Sequence, residues 1–204
     1  ASSKKEKYFF RNWAVTLHLA SEDHSLGYKF IKKIKGHKLG EELLNKCQTP
    51  RWGSPFLLKR FPFLSPTTAS HLANIISIYD SFGKKFRNYK QVVDFGGGYG
   101  GLAKCLCEIS NNFQVNIIDL PRMLEVQKKY IHKTSDFKKR IFFYKNVNFL
   151  KNKYCLFNAS FSFSEMPLVQ RKNIENFIIN KCKRIHIIYQ NNFKYILVDE
   201  FQDT

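Results

Sequence analysis

Arginine is scarce in this chain, and so are acids: 8 arginines accompany 26 lysines, against 16 aspartates and glutamates, for a formal charge of +18. The guanidinium fork is the usual tool for bidentate phosphate and guanine contacts, so its scarcity argues against a dedicated reader of nucleic acid. The lysines are also scattered, over 4–7, 32–38, 84–90 and 128–139, rather than interleaved with aromatics on one segment. Abundant Lys, Asn, Ile, Phe and Tyr together are what codon drift in an AT-rich genome leaves behind. An anionic small substrate such as a nucleotide-linked sugar fits the charge equally well. Long apolar runs are lacking too. No stretch of about 18 apolar residues is present, so no bilayer-spanning segment is expected. The N-terminal ASSKKEKYFFRNWAVTLHLA loosely imitates a secretion signal, but Arg11, Asn12 and His18 interrupt it. The chain opens on Ala1 rather than Met, which reads as a processed, excised or engineered start.

Paired cysteines are missing as well. Cys47, Cys105, Cys107, Cys155 and Cys182 are odd in number and contain no C-x-x-C. Cys105 and Cys107 fall in a predicted helix, where i and i+2 side chains diverge, so a shared metal is not expected there. His18, His24, His37, His132 and His186 show no partner signature and no metal-ligand spacing. Reduced core thiols in a cytoplasmic protein without a metal are the reading that follows.

Strand–helix alternation governs the second half of the chain. Residues 5–19 and 26–46 are predicted helical, the second weakened by Gly36 and Gly40. Residues 48–66 hold four prolines and predict an extended connector. Ser65-Pro66 then offers a capping hydroxyl and a proline at the first helical position. From Gln91, QVVDF, QVNIID, RIFFY, LFNASFSF and RIHIIYQ read as strands, with helices over 102–110, 121–131 and 167–181 between them. KYILVDE is a possible sixth strand. The pattern predicts an α/β fold, a three-layer sandwich around a mostly parallel sheet. A helical N-terminal lobe and connector (1–90) would precede a cofactor-binding domain (91–204).

The glycine run is the strongest chemical signal. VVDFGGGYGG (92–101) places five glycines in six positions behind a short apolar strand. Bare backbone there lets N–H groups approach a ligand at the N-terminus of the next helix. Two fingerprints fit. Gly96-x-Gly98-x-x-Gly101, with Asp119 at the end of the next strand, satisfies the dinucleotide pattern. Asp94-x-Gly96-x-Gly98-x-Gly100 instead puts an acid two places before the first glycine. A carboxylate there would repel a pyrophosphate, whereas S-adenosylmethionine presents a cationic methionyl end that an acid attracts. Asp119 would accept hydrogen bonds from ribose hydroxyls in either case. Asp94 tips the choice toward S-adenosylmethionine, with a nicotinamide-dependent oxidoreductase as the enzyme alternative. A basic, non-catalytic nucleic-acid-binding module on the same fold is the alternative outside enzymes.

DFGGGYGGLA (94–103), IIDLP (117–121) and SFSEMP (162–167), in this order, resemble the sugar O-methyltransferases of bacterial surface-polysaccharide clusters, among the class I S-adenosylmethionine-dependent methyltransferases. RWGSP (51–55), LSPTT (64–68) and YQNNF (189–193) extend the resemblance over roughly residues 50–193. It implies a Rossmann-like methyltransferase fold, bound S-adenosylmethionine and methyl transfer to a hydroxyl of a sugar or nucleotide-sugar. It also implies that Gly96, Gly97 and Gly98 face the methionyl part, Asp119 the ribose and Leu120 the adenine; Asp94 and Phe95, at the end of the first strand, are counted with them as cofactor-binding candidates. Two departures stand out. The sheet of this family has seven strands and ends in an antiparallel hairpin, whereas this chain ends soon after a sixth: an abbreviated C-terminus, or part of a longer product. YKNVNF offers Asn146 and Asn148 where relatives place an acid or amide for adenine.

Catalytic candidates follow from strand-end placement, because ligands of open α/β sheets bind outside the carboxyl ends of the strands. Those ends carry Tyr99, Asp119, Ser162, Ser164, Glu165, Gln190, Asn191 and Asn192. Methyl transfer to a hydroxyl needs an aligned oxygen and a base for its proton. Glu165 is the first candidate base, although its carboxylate could equally stabilise the start of the next helix. His71, in the helix before the domain, is the second. SFSEMP stands where base-modifying nucleic-acid methyltransferases carry N/D-P-P-Y/F or a Pro-Cys, which argues against that class.

Overall fold

The computed structural model describes residues 4–13, 15, 19–20, 22–149, 155–160, 162, 166–188 and 195–198. The chain divides into two compact units, Ala1–Asp80 and Ser81–Thr204.

In the first unit the expected helix over 26–46 is broken into α1 (His24–Lys35) and α2 (Gly40–Lys46). Asp23 caps α1 by accepting from the Leu26 N–H at 3.0 Å. The break is fixed from both sides of His37: its Nδ1 accepts from the Leu39 N–H at 3.2 Å, and its Nε2–H donates to Asp80 at 3.0 Å. Over 5–19 the described residues hold a one-turn α-helix at Lys4–Lys7, a 3-10 turn at Phe9–Arg11 and helical backbone at Trp13 and Val15, while residues 14 and 16–18 lie outside the described residues. The proline-rich connector is irregular, and α3 (Pro66–Phe82) begins where Ser65-Pro66 predicts. Ser65 Oγ accepts from the Thr68 N–H at 3.0 Å, satisfying one orphan donor of the first turn.

The second unit is built on β1 (Gln91–Phe95), β2 (Gln114–Ile118), β3 (Ile141–Tyr144), β4 (Cys155–Ser160), β5 (Arg184–Ile188) and β6 (Tyr195–Val198). Their order is β3-β2-β1-β4-β5-β6. The first five are parallel and β6 pairs antiparallel with β5. Crossovers run through α4 (Gly101–Ile109), α5 (Pro121–Thr134) and α6 (Leu168–Lys181). Right-handed crossovers put α4 and α5 on one face and α6 on the other, which gives the expected three-layer α/β sandwich. Val93, Phe157 and Ile185 pack with Ile178 of α6 in one apolar cluster. Strands covered on both faces should be apolar throughout. Asp94, Asn158 and His186 are buried exceptions in the middle of β1, β4 and β5.

The order reverses between β1 and β4, the position where open α/β sheets take ligands. All five cysteines are buried and free. Among the described residues no helix is long and apolar enough to cross a membrane.

Candidate cofactor-binding site

Asp94 ends a fully buried run on β1, opposite Ile117 of β2 and Asn158 of β4. Its side chain is 2% exposed. Oδ1 accepts from Asn158 Nδ2 at 3.2 Å. Oδ2 has no hydrogen-bond partner among the described residues, though it is fully shielded. Its position is marked by the glycine loop: a Cβ on Gly97 would stand 3.1 Å from it. Burial pushes the carboxyl up to about 7, Asn158 pulls the other way, and the charge of Asp119 adds to the rise. A carboxylate left half-satisfied at the mouth of a glycine loop is set to receive a cation.

The loop adopts backbone conformations that select glycine at three positions. Gly96 has φ +68°, Gly98 φ +56° and Gly100 φ +94°. At Gly96 a Cβ would lie 2.1 Å from Ser162 Cβ, whose Oγ donates to the Phe95 carbonyl at 2.7 Å. At Gly98 a Cβ would meet nothing within 4 Å among the described residues, so open space stands above the loop. The loop thus rests on Ser162 below and is bare above.

Asp119 follows β2, partly buried. Its Oδ1 accepts from the Leu120 N–H at 2.8 Å and its Oδ2 from Gln127 Nε2 at 2.6 Å. Burial raises its pKa, opposed by these two hydrogen bonds. Leu120 is 71% exposed directly after it, an apolar surface beside a polar one. Gln127 of α5 is fully buried and also donates to the Gly98 carbonyl at 2.9 Å. One amide therefore ties the glycine loop to the acid on the neighbouring strand.

These positions bring Asp94, Gly96, Gly97, Gly98 and Asp119 together at the switch point. They fit a ligand with a cationic arm and a vicinal diol: an orphaned acceptor for the arm, bare backbone between, and an anchored acid for the diol. Phe95 contributes its carbonyl, while its ring packs near Phe157, centroids 5.8 Å apart. Tyr99 does not join the polar rim. It is 4% exposed and stacks edge-on against Tyr130 at 4.8 Å. Asn146 Oδ1 accepts from the Asn148 N–H at 3.1 Å. His71 lies on α3 of the first unit, its imidazole pushed down to about 4 by burial and so neutral at neutral pH. Glu165, Ser164, Gln190, Asn191 and Asn192 lie outside the described residues.

Three residues of the site were not singled out by sequence reasoning. Gln127 had a signal: it shares a buried helix face with Leu124, Tyr130 and Ile131. Asn158 and His186 had one too, as polar letters inside otherwise apolar strands. His186, read as having no partner signature, hydrogen-bonds Asn158.

No protein-family model matches the sequence, and none of the curated proteins matches it. Solved structures with a similar chain course include the mitomycin 7-O-methyltransferase MmcR, at 12% identity and a TM-score of 0.48 over 61% of this chain and 39% of that one. The O-methyltransferase NcsB1 of neocarzinostatin biosynthesis, in complex with S-adenosyl-L-homocysteine and 1,4-dihydroxy-2-naphthoic acid, gives 14%, 0.46, 59% and 38% in the same order. Human N-acetylserotonin methyltransferase with S-adenosylmethionine gives 19%, 0.44, 60% and 35%. The chain spans 35–39% of the length of these three proteins. What this site binds is decided by its own residues.

Proposed function

We propose that this chain is an S-adenosylmethionine-dependent O-methyltransferase whose acceptor is a hydroxyl of a sugar or nucleotide-sugar. The observation that carries the cofactor is Asp94 Oδ2, buried against Gly97 and without a hydrogen-bond partner among the described residues. A cationic methionyl end would complete it, whereas a nicotinamide dinucleotide would bring its pyrophosphate against the same acid. Asp119 would hold the ribose hydroxyls and exposed Leu120 would cover the adenine. The glycine loop, steadied by Gln127 and Ser162, would shape the passage between. The sugar acceptor is supported by the resemblance of SFSEMP and its companion motifs, and by a charge of +18 that suits an anionic sugar nucleotide. We assign residues 91–204 to cofactor binding and 1–90 to a helical lobe. Buried free thiols support a cytoplasmic setting.

Bound here, S-adenosylmethionine supplies a methyl group on a sulfonium. The protein's share is to align the acceptor oxygen and take its proton, and Glu165 is the proposed base, with His71 the second candidate. Methyl transfer from radiolabelled S-adenosylmethionine to a panel of nucleotide-sugars and glycosides tests this. Glu165→Gln is expected to lower turnover by roughly 10²–10⁴ while S-adenosylhomocysteine affinity stays as in the wild type. Undiminished turnover would remove Glu165 from the reaction. Transfer to RNA and to no sugar would replace the proposed acceptor.

A further inference from the structure

Polar side chains in the middle of a parallel sheet need a reason, because replacing a buried pair by apolar groups of similar shape is often neutral for stability. Here three form a row across adjacent strands, in register: Asp94 on β1, Asn158 on β4 and His186 on β5. Asn158 and His186 are fully buried. His186 Nδ1 lies 2.8 Å from Asn158 Oδ1, and since a carbonyl oxygen only accepts, the nitrogen carries the proton. Asn158 Nδ2 in turn donates to Asp94 Oδ1.

The direction of this row has a consequence for Asp94. An isolated asparagine can turn its amide over, presenting its oxygen to a protonated carboxyl or its NH2 to a carboxylate with equal ease. The His186 Nδ1–H holds the oxygen toward β5, so the NH2 must face Asp94. That orientation favours the ionised form of Asp94, against the burial that opposes it. His186 carries the Nδ1–H in this neutral tautomer and also as the imidazolium, so protonation of the ring leaves the orientation in place. Among the described residues the charged group acting on Asp94 is Asp119, past the end of β2, and it acts the other way. With Oδ1 engaged by the row, Oδ2 is left beside Gly97 for the ligand.

We propose that Asn158 and His186 are positioning residues for the cationic end of the ligand: the imidazole sets the amide, the amide sets the carboxylate, and the carboxylate receives the ammonium. This inference rests on the S-adenosylmethionine reading of the site. The test is calorimetric titration between pH 6 and pH 9 with two probes, S-adenosylhomocysteine and adenosine, which lacks the ammonium-bearing arm. Asn158→Leu and His186→Phe are expected to weaken S-adenosylhomocysteine roughly tenfold or more at pH 7, a lost hydrogen bond to a charged group, with adenosine unchanged. Both should move the rise of affinity with pH to higher pH. His186→Asn, which returns an N–H donor near the Nδ1 position, should restore the wild-type profile. Asn158→Asp, close to isosteric, covers the case in which the apolar variants do not fold, and should shift the profile upward most. Equal losses for both probes, or none for either, would overturn the positioning role and leave the cofactor reading standing. Wild-type protein that binds adenosine with no preference for S-adenosylhomocysteine would overturn this inference together with that reading.

Discussion

Gly96→Ala is expected to cost about 2–5 kcal/mol of stability, from a left-handed backbone forced on an L-residue plus an overpacked contact. The same substitution should abolish measurable S-adenosylhomocysteine binding. The new methyl would stand 2.1 Å from Ser162 Cβ and 2.3 Å from its Oγ. Ser162 cannot simply swing aside, because its hydroxyl holds the Phe95 carbonyl at the root of the loop. Pairing the change with Ser162→Gly removes the overlap and keeps the φ penalty, so about half the loss should return in urea denaturation. Gly98→Ala is the control. Among the described residues nothing lies within 4 Å of the added methyl, so only the backbone term of about 1–2 kcal/mol applies. The protein should stay folded, yet its methyl occupies the space assigned to the ligand and binding should fall. A Gly98→Ala protein that binds normally would show that the ligand passes elsewhere.

Asp94→Asn should separate stability from function in opposite directions. Burial holds the native carboxyl at about 7 against 3.8 for the free group. Between those values the folded chain binds more protons than the unfolded chain, so wild-type stability falls as pH rises from about 4 to about 7. Above pH 7 the buried charge costs on the order of 4 kcal/mol at most, at about 1.4 kcal/mol per unit. The asparagine variant escapes this cost. In the absence of ligand it should match the wild type near pH 4 and exceed it above pH 7. Ligand binding should move the other way, with S-adenosylhomocysteine weakened roughly 10- to 150-fold at pH 8, the value of a hydrogen bond to a charged group. Denaturation and calorimetry at pH 5 and pH 8 read both effects. A variant that loses stability at pH 8 would mean that Asp94 serves the fold rather than a ligand.

Much of the architecture was legible because its signals are local. A buried VVDF followed by glycines, and Ser65-Pro66 before an apolar helix face, each specify an element within a few residues. The glycine loop, Asp94 and Asp119 were legible for the same reason. Contacts made at long range were not. The helix over 26–46 breaks at His37, which reaches Asp80, 43 residues away. Asn158 meets Asp94 across 64 residues of sequence and His186 across 28. Tyr99 looked like part of the polar rim because it sits among the loop glycines, but Tyr130 on α5 draws its ring inward. The sixth strand was legible as a strand, while its antiparallel direction depends on pairing with β5. Gln127 was visible as a polar letter on a helix face, without the two partners that give it meaning.

The central claim is that the loop of Gly96, Gly97 and Gly98, with Asp94 and Asp119, takes a cationic nucleoside rather than a pyrophosphate. Calorimetric titration of the wild-type protein with S-adenosylhomocysteine and with NAD, at pH 8 and moderate salt, measures this directly. The account predicts saturable one-to-one binding of S-adenosylhomocysteine and no heat from NAD. Binding of NAD without S-adenosylhomocysteine would contradict it, and so would silence from both together with salt-sensitive binding of RNA.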